Sequence, residues 1–282
     1  MMMNRKALQV AILSLLFLIF SGYQAGLLNL GPGPQPAYPE VPPFLETGTG
    51  WVDSVMEELS LEERIGQMIM IYGYSNLGPL HEESVIRQIR RHGVGGILFF
   101  QGEPLEQARL TNRFQAASRV PLLIAMDGEN GLGMRLQNTL SYPSMMTLGA
   151  VSEQALIYRT GAHMAEQFRR LGVHMNLAPV ADIHSNPDNP VIGTRSFGSD
   201  RENVASKVIS LMKGMQDHGL LVAAKHFPGH GDTGTDSHRA LPVIPHDSAR
   251  LDSVELYPFR KAIERGLTGV MMGHLHVPAL DP

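Results

Sequence analysis

The chain has 282 residues, of which 43% are hydrophobic and 18% charged, enough for one large domain with a hydrophobic core. Its formal net charge is −4, and no run of lysines and arginines indicates a nucleic-acid-binding surface, so nucleic acid is not an expected partner. The chain contains no cysteine, which excludes disulfides, thiolate zinc sites, cysteine nucleophiles and a lipid-modified cysteine.

The N-terminal segment has the pattern of an export signal. A short basic start is followed by a predominantly apolar run from Ala7 to Phe20. This run is short for a membrane-spanning helix and has the length of a signal-peptide core. Residues 1–25 are therefore predicted to be a signal peptide, or an uncleaved anchor that attaches the chain to a membrane. We expect the rest of the chain to be periplasmic or extracellular.

The next segment, residues 26–50, is dense in proline and glycine and is predicted to be an extended linker. The folded domain is predicted to span residues 51–282. It begins with a helix, and a second helix is expected after Ser60. Ser60 and Glu63 have the spacing of a capping box, in which each side chain satisfies a backbone N–H group of the other residue.

Short apolar runs then alternate with amphipathic stretches. The apolar runs predict strands at residues 67–72, 95–100, 121–127, 173–179, 220–226 and 268–274. The amphipathic stretches predict helices at residues 81–93, 106–118, 152–172 and 201–219. This alternation is typical of a parallel sheet with right-handed crossovers, which indicates an α/β fold.

Two α/β architectures fit this pattern, an open doubly wound sheet and a closed barrel. Polar side chains lie at or just past the ends of four different predicted strands: Asp127, Asp182, Lys225 with His226, and His274. A doubly wound sheet gathers its ligands at one switch point, whereas a barrel collects groups from many strands around one opening. The sequence therefore predicts a (β/α)8 TIM-type barrel, with about six of its eight strands present in a truncated chain.

The loop "KHFPGHGDTGTDSH", residues 225–238, has the densest set of reactive side chains. Asp236 and His238 are two residues apart, so in an extended backbone they project to the same side. The carboxylate can then orient the imidazole, which exchanges protons near neutral pH. The pair is predicted to be an acid/base dyad, although a surface hydrogen bond would have the same spacing.

The same loop allows three other interpretations. A metal site would take its ligands from His226, His230, Asp232 and His238, with the "HLH" sequence at residues 274–276 as a further source. Lys225 could form a Schiff base with a carbonyl substrate, or could simply pair with a carboxylate in the core. The glycine spacing at residues 229–234 resembles a phosphate-binding loop, but no helix is predicted to follow it.

Two other loops carry candidate binding residues. Asp127 ends a buried strand, and its carboxylate could accept hydrogen bonds from vicinal hydroxyl groups such as those of a sugar. Glu129 and Arg135 follow in the same loop, where a mutual ion pair is the simplest role. Arg195 could bind a ligand through its guanidinium group or hold its own loop together.

Four segments, taken in order, resemble glycoside hydrolase family 3, in particular its β-N-acetylglucosaminidase branch. They are "LSLEERIGQM", "MDGENGLGMRL", "NLAPVADIHSNPDNPVIGTRSFGSD" and "VAAKHFPGHGDTGTDSH". The resemblance implies the barrel fold, no cofactor, and retaining hydrolysis of terminal β-linked N-acetylglucosamine from peptidoglycan fragments or chitin-like oligosaccharides. It implies that His238 is the general acid/base and Asp236 its orienting partner. It also implies sugar binding by Asp127, Arg135, Arg195, Lys225 and His226.

The chain departs from this family pattern in two ways. The family's nucleophile is an aspartate at the end of the next strand, in a Thr/Ser-Asp sequence, and the chain has no counterpart; Asp281 does not match that position. We therefore expect the 282-residue chain to be inactive or barely active. The export signal favours glycan trimming outside the cytoplasm. Two alternatives stay open, a metal-dependent barrel hydrolase and an exported glycan-binding module that is not an enzyme.

Overall fold

The structure, a computed structural model, describes residues 48–236 and 239–280. The predicted signal segment and nearly all of the predicted linker lie outside the described residues, so both stay predictions. Among the described residues, no helix has the length and apolar character needed to cross a bilayer. Helix α1, Gly50–Glu58, begins at the last residue that the sequence assigned to the linker.

The predicted capping box is present at the start of helix α2, Leu61–Gln67. The Ser60 hydroxyl accepts a hydrogen bond from the Glu63 backbone N–H at 3.3 Å, and the Glu63 carboxylate accepts one from the Ser60 N–H at 2.9 Å. Two backbone donors that have no partner within the helix are satisfied in this way.

Strands and helices alternate along the rest of the chain, as the sequence predicts. The strands are β1 Met70–Gly73, β2 Gly96–Phe99, β3 Leu123–Met126, β4 Met175–Asn176, β5 Leu221–Val222, β6 Ala224–Phe227 and β7 Val270–Met272. The helices are α3 Pro79–His92, α4 Pro104–Ala117, α5 Met145–Gly149, α6 Gln154–Arg170, α7 Arg201–Gln216, α8 Ser248–Ser253 and α9 Tyr257–Ile263. All the predicted strands and helices are present, and the sequence analysis missed the short helices α5, α8 and α9.

All strand pairs are parallel and follow the order of the chain. Strands β1 to β5 pair consecutively, and β6 pairs with β7. Only Ala223 separates β5 from β6, and a bridge between Val180 and Lys225 connects β6 to the segment that follows β4. A doubly wound sheet reverses its strand order at a switch point, whereas this order does not reverse. The fold is therefore the predicted TIM-barrel-like α/β fold.

The hydrophobic core lies between the strands and the surrounding helices. Ile97 and Phe99 of β2 and Ile124 of β3 are fully buried, as expected for a parallel sheet covered on both faces. Phe99 stacks on Phe114 of α4 with ring centroids 6.0 Å apart, which fixes that helix against the sheet.

The two edge strands differ from the interior ones because they expose apolar side chains. Met70 and Tyr72 of β1 are exposed, and so are Val270 and Met272 of β7. Because β5 and β6 are successive parts of one strand position, interrupted at Ala223, the seven strands fill six positions. A closed eight-stranded barrel has two more positions between such edges. The described strands therefore form most of a barrel wall with two unpaired edges.

Candidate active site

Seven charged or polar side chains meet at the carboxyl ends of the strands. This strand-end cluster consists of Asp127, Glu129, Arg135, Asp182, Arg195, Lys225 and His226. Asp127 follows β3 directly, and Lys225 and His226 belong to β6. Arg195 ends a short 3₁₀ helix, Gly193–Arg195, in the long loop after β4. All five sugar-binding residues that the resemblance implied are thus brought together.

Lys225 is the centre of the cluster. Its side chain is only 1% exposed, and its ammonium group lies 2.5 Å from Asp127 Oδ1 and 2.7 Å from Glu129 Oε1. A buried charge is tolerated only when it is paired and hydrogen-bonded, and here one cation serves two carboxylates. Lys225 therefore joins the loop after β3 to β6.

Arg135 and Asp127 form a second ion pair within the loop after β3. Arg135 Nη2 donates to Asp127 Oδ2 at 2.7 Å, and Arg135 Nε donates to the Asp127 carbonyl oxygen at 2.7 Å. The guanidinium group also lies 5.3 Å from the centre of the Phe100 ring. Each oxygen of the Asp127 carboxylate thus has one cationic donor, which leaves acceptor capacity for a ligand.

Glu129 binds Arg195 across the cluster. Arg195 Nη2 and Nε donate to Glu129 oxygens at 2.6 Å and 3.0 Å. Burial raises the pKa of Glu129, but hydrogen bonds from Arg195 and the charge of Lys225 outweigh this and lower it to about 2. Burial lowers the pKa of Arg195, but its hydrogen bonds to Glu129 outweigh this and raise it. The expected ion pair between Glu129 and Arg135 is therefore wrong, because each has another partner.

Asp182 is fully buried and holds two histidines of the loop that begins in β6. Its Oδ2 lies 2.7 Å from His226 Nδ1, and its Oδ1 accepts the backbone N–H of His230 at 2.6 Å. The other imidazole nitrogen, His226 Nε2, lies 3.3 Å from Arg195 Nη2. His226 therefore joins the Asp182 carboxylate to the Arg195 guanidinium.

Asn176 of β4 holds the start of the loop that carries Asp127. Its side-chain oxygen accepts the Gly128 N–H at 3.0 Å, and its side-chain nitrogen donates to the Gly128 carbonyl oxygen at 3.1 Å. Asn176 is fully buried, so the two bonds form where water does not compete. They position the carboxylate of the preceding residue, Asp127.

The open side of the cluster has the chemistry of a sugar-binding site. The side chains of Asp127, Arg135, Arg195 and His226 are partly exposed, whereas Lys225 and Glu129 are buried behind them. A cavity of about 260 Å³ adjoins Glu129 and Arg195. Sugars offer adjacent hydroxyl groups that both donate and accept, and carboxylates, guanidinium groups and imidazoles supply the matching partners.

The predicted acid/base dyad is only partly within the described residues. The Asp236 carbonyl oxygen accepts backbone N–H groups of Arg239 at 2.9 Å and Ala240 at 3.1 Å. His238 lies outside the described residues. The roles of His238 and Asp236 therefore stay predictions.

Apart from His238, the candidate metal ligands in the loop at residues 225–238 lie within the described residues, and each of them contacts another side chain. Among the described residues, no group of three or more His, Asp or Glu side chains is arranged to hold a metal ion. Three of the proposed ligands have other partners: His226 with Asp182, His230 with Thr233, and Asp232 with His246. The metal set is therefore not brought together in the part of the chain that the structure describes.

Lys225 and the glycines of the same loop have structural roles. Lys225 has two carboxylate partners that stabilise its positive charge, whereas a Schiff base forms from the neutral amine. Close packing accounts for two of the three glycines whose spacing resembled a phosphate-binding loop: a Cβ atom at Gly231 would lie 1.7 Å from the Ile183 carbonyl oxygen. At Gly229, where φ is +132°, it would lie 2.8 Å from the Glu255 side chain.

Sequence analysis missed three buried polar residues that organise the site: Glu129, Asp182 and Asn176. Glu129 received only the role of an ion-pair partner, and Asp182 was noted at a strand end without a function. Asn176 had a visible signal, since a polar side chain interrupts the apolar run at residues 173–179. A buried polar group inside a strand needs a partner, and this need could have pointed to the site.

Parallel strands in chain order, with charged side chains from several strands meeting at one end, define a (β/α)-barrel of the kind that holds an enzyme active site. Residues 60–282 match the family described as Glycosyl hydrolase family 3 N terminal domain. The chain therefore belongs to glycosyl hydrolase family 3, as its motifs indicated.

Several relatives share this part of the chain. Beta-hexosaminidase A of Pseudoalteromonas piscicida is 37% identical over 207 residues, which cover 68% of the chain and 35% of that protein. A family 3 beta-N-acetylglucosaminidase structure from Paenibacillus sp. superimposes with a TM-score of 0.74 at 42% identity, covering 79% of this chain and 44% of that one.

NagZ from Neisseria gonorrhoeae, solved with N-trifluoroacetyl-D-glucosamine, has a TM-score of 0.66 at 28% identity. This match covers 76% of the chain described here and 65% of the NagZ chain. The chain thus spans between about a third and two thirds of the length of these three relatives.

Proposed function

We propose that the protein containing this chain is an exported glycosidase that removes terminal β-linked N-acetylglucosamine with retention of configuration. The observation that carries the proposal is the strand-end cluster, which collects Asp127, Arg135, Arg195, Lys225 and His226 around one opening. The names of the relatives support it, and one structural neighbour binds a glucosamine derivative.

The cluster suits a sugar ring in a specific way. Asp127 is held by Arg135 and Lys225, so its carboxylate has a fixed orientation before the sugar arrives. A fixed carboxylate that retains free acceptor positions binds vicinal hydroxyls at a lower entropic cost than a mobile one. Arg195 and His226, which lie 3.3 Å apart through Nη2 and Nε2, add a cation and an imidazole to the cluster. We assign four side chains to direct contact with the sugar: Asp127, Arg135, Arg195 and His226. We assign Lys225 both to contact with the sugar and to support of Asp127.

Catalysis in this proposal uses residues beyond the described cluster. His238, oriented by Asp236, donates a proton to the glycosidic oxygen and later removes one from water. A retaining enzyme places its nucleophilic carboxylate about 5 to 5.5 Å from the acid/base group. We assign the nucleophile to an aspartate in a following strand, and we propose that the 282-residue chain binds the sugar but turns it over poorly or not at all.

The substrate and location follow from the same proposal. The apolar run from Ala7 to Phe20 supports export or attachment to a membrane. Outside the cytoplasm, glycans with terminal β-linked N-acetylglucosamine are available as peptidoglycan fragments and chitin-like oligosaccharides. We propose these two classes as substrates, and we propose no cofactor.

The proposal is tested by assaying an aryl β-N-acetylglucosaminide with the chain extended through two further β/α units. The His238→Ala variant is expected to lose at least about 100-fold in kcat, because general acid/base catalysis contributes this much or more. His92→Ala, at the exposed last residue of α3, serves as the matched control and is expected to keep wild-type turnover.

Three results would contradict parts of the proposal. Wild-type turnover by His238→Ala would show that the dyad is assigned wrongly. Activity lost to a chelator and restored by a stoichiometric metal would favour the metal-dependent hydrolase instead. Sugar binding without turnover in the extended wild-type chain would favour a glycan-binding module.

A further inference from the structure

Asp182 differs from the other two carboxylates of the strand-end cluster, because its hydrogen-bond donors come from histidines and not from lysine or arginine. It is fully buried, and four donor contacts from two histidines surround its carboxylate. Oδ1 accepts the His230 N–H at 2.6 Å and lies 3.2 Å from the His226 N–H. Oδ2 lies 2.7 Å from His226 Nδ1 and 3.2 Å from the same backbone N–H. A carboxylate is the side chain that accepts on both oxygens and donates on neither.

This environment fixes the protonation of the His226 ring. Nδ1 must carry a proton, because the atom facing it is a carboxylate oxygen. Nε2 faces a donor, Arg195 Nη2, at 3.3 Å, so Nε2 must present its lone pair. Both neighbours therefore select the same neutral tautomer, with the proton on Nδ1.

We propose that Asp182 is a positioning residue, which holds His226 in the Nδ1–H tautomer so that Nε2 faces Arg195 and the sugar site as an acceptor. The same carboxylate holds the backbone of His230 and so anchors the beginning of the loop that leads to His238. The part of the inference that concerns sugar binding rests on the proposed function, whereas the tautomer does not.

Replacement by the isosteric amide gives a sharp expectation. In Asp182→Asn one oxygen becomes an NH₂ group, which then faces either the His230 N–H or His226 Nδ1. The backbone N–H cannot lose its proton, whereas the imidazole can transfer its proton to Nε2. We therefore expect the variant to carry the proton on Nε2, where it meets the Arg195 guanidinium group without an acceptor.

The experiment is long-range ¹H–¹⁵N correlation NMR of the ¹⁵N-histidine-labelled 282-residue chain, without sugar, with His226 assigned from the His226→Gln spectrum. The expected result for the wild type is protonated Nδ1 and bare Nε2. Asp182→Asn is expected to show the opposite tautomer, and Asp188→Asn, which neutralises an exposed carboxylate in the same loop, is expected to match the wild type. A wild-type ring protonated on Nε2, alone or together with Nδ1, would overturn the inference.

Calorimetric titration with N-acetylglucosamine adds the functional readout. We expect Asp182→Asn to bind at least about tenfold more weakly than the wild type, because His226 then faces Arg195 as a second donor and offers the sugar site no acceptor at Nε2. If Asp182→Asn keeps both the Nδ1–H tautomer and wild-type affinity, Asp182 has no positioning role. If the wild-type chain fails to bind the sugar, the proposed function fails, and the tautomer, read without sugar, still decides the inference. If Asp182→Asn fails to fold, the His226 tautomer in the wild-type spectrum still decides the inference.

Discussion

The two ends of the barrel both carry many charges, but they use them differently. At the carboxyl ends of the strands lies the strand-end cluster, next to a cavity of about 260 Å³. At the opposite end, where α3 and α4 lead into β2 and β3, lies a larger cavity of about 460 Å³, which we call the amino-end cavity. Its lining includes Glu62, Glu63, Arg90, Arg91 and Arg119.

The two regions differ in how deeply their charged side chains are buried. In the amino-end cavity Arg119 pairs with Glu58 and Glu63 at 3.1 Å each, and all three side chains are exposed. Exposed pairs of this kind contribute about 0–1 kcal/mol because water screens them. In the strand-end cluster Lys225 is 1% exposed and Glu129 is 6% exposed. Water reaches neither side chain well, so each charge is stabilised by its ion-pair partners.

Under the proposed function, the smaller of these two cavities adjoins the functional site, so cavity size alone would be a poor guide to it. Taking charges out of water is costly, and replacing a buried ion pair with apolar side chains of similar volume is often neutral or stabilising. A buried, fully paired set of charges beside an opening is instead the arrangement that a polar ligand requires, because its donors and acceptors are already oriented. Four substitutions and one matched control probe this comparison.

The largest effect is expected from Lys225→Met. It removes the cation that compensates both carboxylates, which leaves the buried Glu129 and the partly exposed Asp127 without their shared partner. Breaking a buried ion pair from one side costs about 3–5 kcal/mol, so we expect the free energy of unfolding in urea to fall by that amount.

Lys261→Met is the matched control for Lys225→Met. Lys261 pairs with Glu264 at 2.8 Å on the surface of α9, so a change of about 0–1 kcal/mol is expected. Equal losses of stability in the two methionine variants would show that the strand-end cluster is no more tightly coupled than a surface pair.

Glu129→Gln is expected to destabilise the chain by roughly 3 kcal/mol at pH 7, because the folded state lowers the Glu129 pKa from 4.5 to about 2. A lowered pKa contributes stability above the unfolded-state value and loses it as the pH falls towards the folded-state value. The gap between wild type and variant should therefore narrow from about pH 4.5 to pH 2. Urea unfolding at several pH values measures this gap, and a constant gap would contradict the assignment.

A smaller effect is expected from Arg195→Lys. Lysine keeps the positive charge but has one nitrogen in place of the three through which Arg195 contacts Glu129, the Val191 carbonyl oxygen and His226 Nε2. We expect a loss of about 1–2 kcal/mol in the free energy of unfolding, from one or two missing hydrogen bonds, and weaker binding of N-acetylglucosamine. Unchanged affinity in calorimetry would place the sugar away from Arg195.

The smallest effect is expected from Arg119→Ala in the amino-end cavity. The change in unfolding free energy should stay within about 1 kcal/mol and disappear at high salt, since both pairs of Arg119 are exposed. Sugar binding should be unaffected. A clear loss of affinity would show that the larger cavity takes part in binding.

The sequence predicted the parts of the fold that depend on local pattern. Alternating apolar and amphipathic segments gave the strands and the four long helices, and the spacing of Ser60 and Glu63 gave the cap of α2. The short helices α5, α8 and α9 were missed because five to seven residues are too few to show a helical period.

Partners within the site could not be predicted in the same way. Glu129 was expected to pair with Arg135, its neighbour in the loop, but it binds Arg195, which is 66 residues away in the chain. Such a pair depends on which loops the curvature of the barrel brings together, and the local sequence carries no record of it. The family resemblance implied the five sugar-binding candidates, whereas the supporting contacts of Asp182 and Asn176 required the structure.

The most direct test of the central claim is a crystal structure of the chain soaked with N-acetylglucosamine. The account predicts one ordered sugar at the strand-end cluster, with a hydroxyl group within hydrogen-bonding distance of Asp127 and a polar contact to Arg195 or His226. A sugar bound in the amino-end cavity, with the strand-end cluster empty at saturating concentration, would contradict it.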